Sequence, residues 1–161
     1  MLAGCGSMPY KEKDISDIET GDIVMIISHK NWAWGYQNSG NFIDRYGKVY
    51  QYDFSELPPM TFEQELEQFS DIMEQSEGTE SNFSENDMKY IYSMLNDVDE
   101  NADFKTENIM CDYGQETLFG IRYDESNQPE KIMIYSYGDN ERKPLDRNSQ
   151  KIYDYYISKI K

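Results

Sequence analysis
The longest unbroken apolar run in the chain is Ile23-Val24-Met25-Ile26-Ile27, and it constrains everything built around it. A run with no polar face cannot lie at a sheet edge or on a surface helix, so Asp22 to Ser28 is predicted as a strand in the interior of a sheet. It falls far short of the roughly 18 apolar residues a membrane-spanning helix needs, and no other stretch comes closer. Downstream the apolar period becomes two. Phe42 to Asp44 and Lys48 to Phe54 flank Asp44-Arg45-Tyr46-Gly47, which predicts a hairpin with Gly47 in the left-handed region and Tyr50, Tyr52 and Phe54 on one face.

Pro58-Pro59 ends that segment, and the period then becomes helical. Thr61 with Gln64, and Ser84 with Asp87, have the spacing of capping boxes. The first predicted helix carries Phe62, Leu66, Phe69 and Met73 on one stripe, and the second carries Met88, Ile91, Leu95 and Val98. A short strand is expected over Glu107 to Cys111, with Cys111 as a small buried side chain, and a strand pair over Thr117 to Tyr123 and Lys131 to Tyr137. A last helix runs from about Asp146 to Ile160, with Ile152, Tyr156 and Ile160 turned inward. Strands, two helices, strands and one helix predict an α+β fold: an antiparallel sheet with about three helices packed on one side. Residues 1–20 read as an N-terminal motif and flexible linker, and 21–161 as a single domain.

Charge narrows the function classes. Thirty-one acidic residues against 15 basic ones give a formal net charge of −16, which repels the phosphate backbone of DNA or RNA, so nucleic acid is excluded as a general partner. Aromatic residues make up 14% of the chain, too much ring surface for a disordered acidic tail. The 14 tyrosines are by themselves weak support for a binding site, because AT-rich coding produces them too. Only their clustering in space would give them that meaning.

The N-terminus is more specific. Leu2-Ala3-Gly4-Cys5-Gly6-Ser7 resembles the lipobox of bacterial lipoproteins, in which small residues precede a cysteine that is acylated and becomes the mature N-terminus. The resemblance covers these residues alone and implies lipidation of Cys5, a membrane partner through that lipid, and a place at the bacterial cell surface. Such signals carry a basic and then an apolar stretch ahead of the box, so one is expected upstream of Met1. A cytoplasmic protein with a chance tetrapeptide is the alternative.

Catalytic signatures are sparse. The chain has no Gly-x-Ser-x-Gly elbow, phosphate loop, dinucleotide fingerprint, Cys-x-x-Cys or His-Glu-x-x-His, and no cofactor is implied. Cys111 with His29, the one histidine, is the only nucleophile pair that can be drawn, and a thiol hydrolase would need them together. Asp97, Asp99, Asn101 and Asp103 follow an EF-hand-like spacing, but Ala102 and Asn108 stand where the frame needs glycine and a bidentate carboxylate, so no metal site is assigned. The ligand-binding candidates are His29, Trp32, Trp34 and Tyr36. In extended backbone the two tryptophans and Tyr36 form a row that could stack on a sugar or anchor a protein. A row of this kind is by default core, with Tyr36 as its exposed end. Binding of a glycan or a basic protein is thus expected rather than catalysis, with an acidic inhibitor or immunity-type protein as a further alternative.

Overall fold
A computed structural model of the chain describes Ile15 and residues 18–33, 35–109 and 111–161. The elements are β1 (Ile23–Asn31), β2 (Gln37–Asp44), β3 (Val49–Asp53), α1 (Phe62–Gln75), α2 (Glu85–Leu95), β4 (Phe104–Asn108), β5 (Gln115–Tyr123), β6 (Pro129–Gly138), β7 (Asn140–Pro144) and α3 (Arg147–Ile160). The seven strands make one sheet in the order β3-β2-β1-β5-β6-β7-β4, and every paired neighbour is antiparallel. The fold is α+β, with one antiparallel sheet and three helices.

The apolar run behaves as its composition requires. β1 lies between β2 and β5, and Val24, Met25 and Ile26 are at most 2% exposed. Its register against β2 shifts between Ile23 and Met25, so Val24 and Met25 join the same core cluster while Ile23 and Ile26 join the opposite one. The predicted β2–β3 hairpin forms. Gly47 has φ +86°, and a Cβ there would stand 2.2 Å from the carbonyl oxygen of Phe83, so this turn needs glycine twice over. Both capping boxes form as their spacing indicates, Thr61 with Gln64 and Ser84 with Asp87, and Asp146 caps α3 by accepting from the Ser149 amide at 2.7 Å.

The helices divide between the two faces of the sheet instead of gathering on one. Phe42 and Ile43 are neighbours in β2 and point to opposite faces, yet both are buried, at 0% and 2% exposure. Each face therefore needs a cover. On one, Phe69 of α1 sits among Phe42, Tyr52 and Phe54 with ring centroids 4.6, 5.0 and 5.6 Å away. On the other, Ile91 and Leu95 of α2 and Ile152 of α3 close over Met25, Ile43, Leu118, Ile132 and Ile134. Ile18 belongs to this second cluster.

Phe69→Ala removes the ring that α1 buries most fully against the sheet, and is expected to destabilise the fold by about 3–5 kcal/mol in chemical denaturation. A loss below about 1 kcal/mol would show that α1 is not seated there.

Candidate functional site
α3 lies across the strands. Gln150 near its start donates to the Pro144 carbonyl in β7 at 2.9 Å, Tyr153 stacks on Tyr135 of β6 at 4.1 Å, and Tyr156 and Ile160 line a hollow with Ile27 of β1. Beyond this helix the face of the sheet is open. A cavity of about 330 Å³ is lined there by Ile27, Glu116, Leu118, Tyr135, Tyr137, Tyr153, Tyr156, Ile157 and Ile160. A second cavity of about 620 Å³ shares Ile27, Tyr156 and Ile160 with it and continues past Asn41, Val49, Glu80 and Asn82. Together they make an elongated groove along α3.

Four tyrosine rings and one carboxylate thus meet around the first cavity. Burial pushes the Tyr156 hydroxyl above its ordinary pKa, and the charge of Glu116 adds to the shift. Burial raises Tyr135 in the same sense, reinforced by its hydrogen bond to Glu141 Oε1 at 2.7 Å. Both phenols therefore stay neutral at ordinary pH. Glu116 is exposed; its main-chain carbonyl accepts from the Ser136 hydroxyl at 3.3 Å, but its carboxylate makes no hydrogen bond or ion pair among the described residues. Neutral rings thus surround a carboxylate that has no side-chain partner among the described residues.

The residues expected from the sequence are distributed differently. Trp32 and Tyr36 do not form an extended row: they flank the connection between β1 and β2, where Gly35 has φ +104°, and their rings meet at a 47° tilt with centroids 4.6 Å apart. The core assignment fails for Trp32, which is 65% exposed, while Tyr36, expected at the exposed end, is half-buried beneath it. A tight hairpin connection has no second layer above it to bury a tryptophan. Trp34 and Cys5 lie outside the described residues. His29 pairs across the sheet with Glu116 and meets Tyr113 edge-on at 5.9 Å, so it borders the groove. Cys111 is exposed rather than buried, because the strand expected to carry it ends at Asn108 and Cys111 falls in the loop before β5. No hydrogen bond joins it to His29 among the described residues. Neither Asp97, Asp99, Asn101 and Asp103 nor any other set of three or more His, Cys, Asp or Glu side chains gathers as a metal shell among the described residues. Sequence reasoning missed Glu116, Tyr135, Tyr137 and Tyr153. Their places on β5, β6 and α3 were visible, but the pairing that brings them together was not.

The opposite face holds a charged clamp. Glu65 of α1 is 4% exposed and takes Lys30 Nζ at 2.9 Å and Lys131 Nζ at 2.8 Å on its two oxygens. Asn38 Nδ2 adds a bond at 3.3 Å, and the Lys131 ammonium also lies 4.5 Å from the Phe62 ring centroid. Burial raises the Glu65 pKa, the ammonium groups of Lys131 and Lys30 lower it by more, and it ends below the ordinary glutamate value. The clamp locks α1 to the sheet and consumes two cations of an acidic chain.

Comparison of the chain with family models, with curated proteins and with solved structures gives no match.

Two predictions follow the placement of these groups. Glu65→Ala leaves Lys30 and Lys131 without their counter-charge and is expected to cost about 3 kcal/mol, the low end for a broken buried pair because both ammonium groups keep some water. The folded pKa lies below the unfolded one, so the contribution is complete above the ordinary value of 4.5 and is lost as pH falls through the lower folded value. Urea melts of wild type and Glu65→Ala should therefore converge in acid; a gap that persists there would contradict the clamp. Trp32→Ala, by contrast, should change stability by less than about 1 kcal/mol, whereas a core tryptophan would cost about 3–5 kcal/mol.

Proposed function
We propose that the chain is a binding domain held at a bacterial cell surface by a lipid on Cys5, and that it takes its ligand in the groove along α3. The convergence of Tyr135, Tyr137, Tyr153, Tyr156 and Glu116 on one cavity carries the reading. Here the tyrosines have the spatial clustering that composition alone could not supply. Rings of this type offer large contact area at low conformational cost, and their hydroxyls add hydrogen bonds at the rim.

The resemblance of Leu2-Ala3-Gly4-Cys5 to a lipobox supports the tether. Two or three acyl chains suffice for lasting attachment, and a body of charge −16 is held off anionic lipid without needing a membrane-seeking surface of its own.

Ring-labelled tyrosine spectra test the groove. Titration with a neutral hexasaccharide, a lysine-containing decapeptide and inorganic phosphate, each in turn, should move the Tyr137, Tyr153 and Tyr156 resonances together for one probe. Movement confined to the exposed Tyr46 and Tyr90 would contradict the reading. For the tether, palmitate labelling in the native bacterium should mark the wild type and not Cys5→Ser, and an unlabelled wild type would contradict it.

A further inference from the structure
The groove has a charge preference as well as a shape. Its first cavity contains an unpaired, exposed carboxylate, Glu116, and four phenol rings whose faces carry negative potential. The one lysine on the adjoining cavity is already engaged: Lys159 Nζ lies 2.9 Å from Asp87 Oδ1 and 5.4 Å from the Tyr155 ring centroid. The one formal charge lining the first cavity is therefore negative, and with the ring faces it favours a cation, while the neutral phenol hydroxyls can donate or accept. The second cavity adds another exposed carboxylate, Glu80, and the amide of Asn41 also lines it.

We propose that the occupant of this groove is a basic segment of a polypeptide partner, with a lysine or arginine side chain seated among Tyr137, Tyr153 and Tyr156 against Glu116. This rests on the groove being the binding site. Two observations commit it to a polypeptide instead of a small cation. The two cavities, about 330 and 620 Å³, adjoin along α3 and share Ile27, Tyr156 and Ile160, a shape that suits an extended chain. Glu116 lines the first cavity and Glu80 and Asn41 line the second, so acidic groups for basic side chains and an amide for a main chain are spread over both. The net charge of −16 draws such a partner in over long range and repels acidic competitors. No covalent step is involved.

Calorimetric titration with a lysine-containing decapeptide tests the assignment, with three companion ligands: the same peptide carrying glutamine in place of lysine, tetramethylammonium chloride, and a neutral hexasaccharide. Wild type should bind the lysine peptide at least about tenfold more tightly than its glutamine counterpart, and Glu116→Gln should weaken it about tenfold. Glu125→Gln makes the same change in net charge on the exposed β5–β6 loop and should alter affinity less than about twofold. Equal effects of the two substitutions would reduce the preference to general electrostatics and overturn the proposal. Equal binding of the glutamine peptide would overturn it too. Tetramethylammonium binding as tightly as the peptide would replace the polypeptide by a small cation. Binding of the hexasaccharide alone would refute this inference and leave the groove as a binding site, whereas silence from every ligand would refute both.

Discussion
α3 runs across the strands, and the groove is a consequence of that crossing. β5 and β6 contain 9 and 10 residues, so they extend about 30 Å. Two helices laid side by side across such a sheet cover roughly 20 Å, at about 10 Å for each. A strip of sheet is left over beside the buried Leu118, and in this chain it is the end bearing Ile27, Glu116, Tyr135 and Tyr137. The hydrophobic effect would favour burying those rings, but α2 and α3 are already committed to the centre of the sheet through Ile91, Leu95 and Ile152. The rings remain half-covered along the flank of α3.

The distribution of charge reinforces this arrangement. Several of the few cations are used to hold the fold together: Lys30 and Lys131 clamp α1 through Glu65, Arg122 bridges Glu100 and Glu130, and Lys159 ties α3 to Asp87 at the start of α2. Acids outnumber them two to one, so many carboxylates remain without partners on the surface. Glu116 is one of these, and its position beside four rings is what turns an ordinary surface acid into a selective one.

Much of the scaffold was legible because it is specified locally. The β1 run, the Gly47 turn and both capping boxes depend on residues close together in sequence, and each forms where its pattern places it. The failures share a cause. The first half of β2, Gln37-Asn38-Ser39-Gly40-Asn41, has the composition of a loop and is a strand only because β1 and β3 supply partners on both sides. β7, Asn140–Pro144, has almost no apolar alternation and is held between β6 and β4. The division of the helices between two faces depended on Phe42 and Ile43 both being buried, which a hydrophobic pattern alone does not reveal. The site was less legible still. His29 borders it, but Glu116 and the three tyrosines that sequence reasoning missed come from separate elements, and only the β1–β5–β6 register joins them.

Hydroxyl-radical footprinting read residue by residue tests the open groove most directly. The account predicts that Tyr137 is oxidised at a rate comparable to exposed Tyr113, with Tyr153 and Tyr156 intermediate and Tyr50 and Tyr52 strongly protected. Protection of Tyr137, Tyr153 and Tyr156 equal to that of Tyr50 would mean that the strip is closed, and would contradict the account.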